Sequence, residues 1–134
     1  MDVWGLDGKV AVVIGGGGGL GAAMSEGLAG AGAAVVVVGR SESADAVASR
    51  IGGTAVRCDA SVSDELDGAR ARIRRDNGRV DVLVAAQGIA VPYPLLQHTD
   101  DAWDATIATN LTSVFRACRT VGGWMAFEMK EVGQ

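Results

Sequence analysis

Aromatic side chains are scarce. At 4% of 134 residues they cannot build a core, which must come from Ala, Val, Leu and Ile. Cysteine occurs only at Cys58 and Cys118. Two thiols exclude a disulfide framework and suit a reducing compartment, so a cytoplasmic protein is expected. An excess of positive charge is also missing. The net charge is −4 and the pI about 4.8, which argues against nucleic acid and anionic membrane as partners, since both need a basic face. No long hydrophobic run occurs, and Ala31–Gly39 is far too short to span a bilayer. The opening "MDVWGLDGKV" has no basic segment followed by an apolar one, so it reads as no signal peptide.

What the chain does have is apolar content, 49% of residues, and 20 glycines. The first excludes a disordered tail. The strand and helix signals alternate. "KVAVVI" (Lys9–Ile14) is a β-branched run that predicts a buried strand. Gly19–Ala31 carries Leu20, Met24 and Leu28 at helical spacing. Ala33–Val38 predicts a second strand, Glu42–Ile51 a helix stopped by Gly52 and Gly53, and Thr54–Arg57 a short third strand. Val62–Asn77 is a charged amphipathic helix ending at Gly78. Val80–Val84 predicts a fourth strand, and a loop with Pro92 and Pro94 follows. A long helix then runs from Asp100 to about Val121, capped by Thr99 or Asp100 and interrupted by Gly122 and Gly123. Continuous apolar strands separated by helices predict an α/β fold. It is a doubly wound, Rossmann-type parallel sheet of about four strands with helices on both faces. No linker is visible, so one domain is expected.

The stretch "VAVVIGGGGGLGAAM" (Val10–Met24) lies between the first strand and the first helix. A spacer would not be embedded there. Gly15, Gly19 and Gly21 sit where a nucleotide-binding turn needs a tight bend, a close backbone approach to diphosphate, and close helix–strand packing. The phosphates would meet free N–H groups at the positive end of the helix. A P-loop is excluded, because Gly21 is followed by Ala22 and Ala23 instead of Lys and Ser/Thr. A methyltransferase is disfavoured, because it expects an acid at the end of the second strand, where Gly39 and Arg40 stand.

"IGGGGGLG" (Ile14–Gly21) resembles the TGxxxG[IL]G motif of short-chain dehydrogenases/reductases, with Ile14 in the Thr position. "VVVVGR", "RCDAS", "DVLVAAQGI" and "WDATIATNLTSVF" resemble further segments of that family in the same order. The resemblance covers essentially the whole chain. It implies a nicotinamide dinucleotide bound along the strand ends and reversible interconversion of a small-molecule alcohol and its ketone.

Residue roles follow from the same resemblance. Gly15, Gly19, Leu20 and Gly21 would line the phosphates. Arg40 replaces the acid that favours NAD, so it would hold a 2′-phosphate, and NADP is expected ahead of NAD. Asp59 would meet the adenine with the Ala60 backbone beside it; a turn-forming Asp is the plainer alternative. "AAQG" (Ala85–Gly88) stands where the family has "NNAG". Ala86 and Gly88 leave room for a ribose, but Ala85 cannot tie the strands together as Asn does, and Gln87 is bulkier than Ala. On the last helix, Trp103, Ile107, Leu111, Val114, Cys118 and Val121 form an apolar stripe, and Asn110 borders it. A buried amide must be bonded. The resemblance makes Asn110 the Asn of the catalytic tetrad; an Asn satisfied by nearby backbone is the alternative. His98 and Tyr93 read as loop residues.

The family's Ser and Tyr-x-x-x-Lys are not in this sequence. Tyr93 is followed four positions later by Gln97, the lysines are Lys9 and Lys130, and no serine follows Ser113. The chain therefore reads as the cofactor-binding N-terminal half of such an enzyme, inactive alone, with strand four left as an open edge and a tendency to self-associate. A non-catalytic nucleotide-binding or dimerising module is the competing reading.

Overall fold

A computed structural model describes residues 3–128. β1 (Val10–Ile14), β2 (Ala34–Gly39), β3 (Thr54–Arg57) and β4 (Val82–Ala85) form one parallel sheet in the order β3-β2-β1-β4. In register, Val12 lies between Val36 and Leu83, and Val38 pairs with Val56. The chain moves outward from β1 to β3, then returns to the other side of β1. That reversal creates a crevice between the C-terminal ends of β1 and β4, the usual ligand position in an open α/β sheet.

Alternate strand residues point to opposite faces, so the sheet builds two cores. Ala11, Val13, Val35 and Val37 pack with Ala44, Val47 and Ala48 of α2 (Glu42–Ile51), and with Leu28 and Ala29 of α1 (Gly19–Gly30). Val12, Ile14, Val36, Val38 and Val56 pack with Leu66, Ala69 and Ile73 of α3 (Ser63–Asn77), and with Ala117, Val121 and Trp124. Gly52 and Gly78 cap α2 and α3 in the left-handed region, with φ of 69° and 75°.

The last helix begins as α4 (Asp100–Ile107), with the Thr99 hydroxyl accepting the Ala102 N–H at 3.1 Å. It continues through a wide π turn at Ala108–Thr112 into α5 (Ser113–Ala117), then through further π turns at Cys118–Gly122 and Trp124–Glu128. Gly122 and Gly123 therefore do not interrupt it; Gly123 keeps helical angles, φ −59° and ψ −44°. Burial of Val121 and Trp124 on either side outweighs a glycine penalty of about 1 kcal/mol each.

Of the two expected apolar stripes, only Leu28 and Val121 join the cores. On α1 the buried residues are Gly21 and Ser25, whereas Leu20 is 77% exposed and Met24 is exposed too. On the long helix the inward face is Ser113, Ala117, Val121 and Trp124. Trp103 and Leu111 are 59% and 62% exposed, and Cys118 is exposed. The cause is the same in both places. A helix lying close on a sheet needs small residues at the contact, and hydropathy does not mark them. β4 is half-buried along its whole length, and among the described residues it pairs only with β1, as expected of an open edge.

Candidate functional site

A cleft of about 730 Å³ opens along the C-terminal ends of the strands. Its lining joins the glycine turn (Gly15, Gly17–Gly21), the end of β2 (Gly39–Ser41), the loop after β3 (Cys58–Ser61) and the end of β4 (Ala86–Gly88), with Thr109 and Ser113 from the long helix. Gly15, Gly19, Leu20, Gly21, Arg40, Asp59, Ala60, Ala86 and Gly88 all stand in this one lining. Of the proposed site residues only Asn110 is outside it.

The glycine turn is forced by contact. Gly15 has φ +78°, and a Cβ there would lie 2.7 Å from the Gln87 nitrogen. A Cβ on Gly21 would overlap the Gly15 carbonyl oxygen, and one on Gly17 would strike Ser43 and the Ala44 nitrogen. Gly18 and Gly19, by contrast, face open space. Gly15 and Gly21 hold the backbone together, while Gly18 and Gly19 leave it bare. The sequence singled out three glycines; the packing roles of Gly16 and Gly17 went unread, because five identical residues carry no internal contrast. Ser25 completes the turn by donating to the Gly21 carbonyl at 2.8 Å.

Helix α1 starts at that bare turn. Its N-cap, Gly18, has no side chain to occupy the free N–H groups, and no acidic residue stands in the first turn. The positive helix end is therefore presented to the cleft unneutralised, which suits an anion.

At the far end of β2, Arg40 and Ser41 face the cleft with Ser43, whose hydroxyl lies 2.7 Å from that of Ser41. Ser41 and Ser43 were not read from the sequence; two serines at a helix start look like ordinary capping. Asp59 stands across from them. Its carboxylate accepts both the N–H and the hydroxyl of Ser61, at 2.9 and 2.7 Å. Those bonds, and to a lesser extent the Arg40 guanidinium, hold it below the usual carboxylate range despite some desolvation. Asp59 is thus a turn-forming Asp that also lines the cleft. The Glu65 carboxylate accepts the Asp59 N–H, and Arg116 of the long helix donates to the Ser61 carbonyl at 2.9 Å, so the loop is tied on two sides. Cys58 beneath it has its thiol pushed up to about 11, by burial first and then by Glu65 and Asp59.

Asn110 was expected to be buried beside an apolar stripe. It is exposed, and its amide is satisfied by backbone: Nδ2 donates to the Ile89 carbonyl at 2.8 Å, and Oδ1 accepts the Ile89 N–H at 2.7 Å. It sits in the π turn and clamps the loop that leaves β4. Gln87 reaches the long helix as well, Nε2 donating to the Ser113 hydroxyl at 3.1 Å. Tyr93 and His98 meet edge-on, 6.3 Å between ring centres, and neither is among the residues lining the cleft. Lys130 lies outside the described residues. Among the described residues no cluster of ligands suited to a metal occurs, and no helix is long and apolar enough to cross a membrane.

A glycine-turn crevice at the switch point of a parallel sheet defines a nucleotide-binding α/β protein. The sequence places it more narrowly. The family model for short chain dehydrogenases matches residues 9–134, and the chain belongs to that family. It is 35% identical to the D-threitol dehydrogenase of Mycolicibacterium smegmatis over 123 residues, covering 87% of this chain and 47% of that protein. It is 36% identical to the 3-oxoacyl-[acyl-carrier-protein] reductase FabG of Escherichia coli over 119 residues, covering 87% and 49%. Among solved structures, a Brucella melitensis protein named as a ribose-5-phosphate isomerase superposes with a TM-score of 0.89 at 31% identity, over 92% of this chain and 49% of that one. The chain spans about half the length of the curated relatives it matches.

Proposed function

We propose that the chain binds a nicotinamide dinucleotide in the strand-end cleft, NADP ahead of NAD, as the cofactor half of an alcohol/carbonyl oxidoreductase. The observation that carries this reading is the uncapped positive end of α1, after a turn where Gly15, Gly17 and Gly21 leave no room for a Cβ. Diphosphate would lie on Gly18–Gly21, and the adenosine would run toward Arg40 and Asp59. The Arg40 side chain is the basis for the 2′-phosphate: a guanidinium can hold it, and the carboxylate that would repel it is absent from Gly39. Asn110 would belong to the proton relay by family membership, holding the loop after β4 through Ile89.

The names of the two relatives suggest a polyol or an acyl-carrier ketone as substrate class. Since Tyr-x-x-x-Lys is absent from the sequence, the chain alone serves as a binding module and does not turn over. Thermal-shift titration tests this, with NADPH, NADH and S-adenosylmethionine as ligands. Stabilisation by NADPH beyond NADH is the expected result. A response to S-adenosylmethionine alone removes the dehydrogenase reading, and measurable ketone reduction by the chain alone removes the binding-module one.

A further inference from the structure

Gln87, at the end of β4, is half-buried, and its side-chain amide is held in a specific arrangement. Nε2 donates to the Ser113 hydroxyl, which itself donates to the Thr109 carbonyl at 2.5 Å, so a chain of bonds joins the end of β4 to the long helix. Oε1 is buried without a partner among the described residues. The Gln87 main chain is pressed against the glycine turn, to the point that a Cβ on Gly15 would clash with its nitrogen and Cα. Gln87, Thr109 and Ser113 all line the cleft.

The sheet order gives this corner its place along a ligand. With β3 and β2 on one side of β1 and β4 on the other, Arg40 and Asp59 stand at one end of the cleft and Gln87 at the other. A dinucleotide whose diphosphate lies on the turn after β1 must put its second nucleoside over β4. We propose that Gln87 is a positioning residue for that second nucleoside: its bond to Ser113 fixes the β4 end against the long helix and holds the floor on which the nucleoside rests. It does what Ala85 cannot, tying β4 to a neighbouring element, but through the helix instead of an adjoining strand. This inference rests on the dinucleotide reading above.

Stability and binding respond differently to removal of this amide. Gln87→Met loses one hydrogen bond and also removes an unpartnered buried carbonyl, and the two effects oppose each other. Its melting temperature should stay near that of the parent chain. The Kd for NADPH should rise roughly five- to tenfold, while the Kd for 2′-AMP, which lacks the diphosphate and second nucleoside, should not change. Ser113→Ala should weaken NADPH similarly, and the double variant should be no weaker than either single one, because both remove one link. The proposal is overturned if both variants keep the parent's NADPH affinity, if 2′-AMP weakens in step with NADPH, or if the two substitutions add. If the parent chain binds 2′-AMP and NADPH equally well, the second nucleoside has no site and the proposal falls while a nucleotide site survives. If the parent binds neither of these nor NADH, the dinucleotide reading falls and takes this one with it.

Discussion

Single side chains distinguish the two ends of the cleft, with Arg40 and Asp59 at one and Gln87 at the other. On the proposed reading Arg40 would hold a phosphorylated ribose, and Arg40→Asp would place a like charge against it. The NADPH Kd should rise between about tenfold and a hundredfold while that for NADH stays near its parent value, by calorimetry. The loop residue Asp59 gives a pH signature. Its folded carboxyl is held below the ordinary value by Ser61. It therefore contributes stability that is fully present above the unfolded pKa of about 4 and is lost as pH falls through the lowered folded value. An acid titration of Asp59→Asn should show a shallower loss of stability than the parent. The two thiols should separate cleanly. Cys58 is buried with its thiol raised to about 11, and Cys118 is exposed. At pH 8 a thiol-alkylating reagent should label Cys118 alone in the native chain and both in denaturant, by mass spectrometry.

At the level of elements, contact between α1 and β1 governs the site. Gly21→Ala must push the helix off the Gly15 carbonyl, an overpacking error that costs about 1–3 kcal/mol and also spreads the glycine turn. A lower denaturation midpoint together with weakened NADPH is expected, whereas Gly27→Ala, on the open side of the same helix, should be neutral or stabilising. The clamp from the long helix is testable by hydrogen exchange. Asn110→Ala removes both bonds to Ile89, and the Ile89 amide should lose its protection while amides in β1 keep theirs.

For the molecule as a whole, the faces left uncovered matter most. Trp103, Leu111 and Phe115 stand exposed on one side of the long helix, and β4 offers an unpaired edge among the described residues. Association of the chain with itself should grow with concentration in sedimentation velocity, and Trp103→Glu with Phe115→Glu should reduce it. The same exposure explains where reading the sequence failed. Trp103 and Leu111 carry hydropathy suited to a core, and periodicity says which residues share a face but not whether anything covers that face. Asn110 was misplaced for the same reason, since its burial was inferred from the stripe beside it.

The alternation of β-branched runs with helical segments determined the α/β class and the strands, because both are set by local pattern, and the glycine run between strand and helix marked where the turn lies. Strand bounds moved by only one or two residues. The sequence by itself also determined that Arg40 and Asp59 follow strands two and three, hence that they reach the same sheet end. Tertiary structure alone decided which helix faces turn inward, since Gly21, Ser25, Ser113 and Ala117 are selected by the distance between helix and sheet. It alone brought Gln87 to Ser113 and Arg116 to Ser61, bonds across 26 and 55 residues that no local pattern encodes.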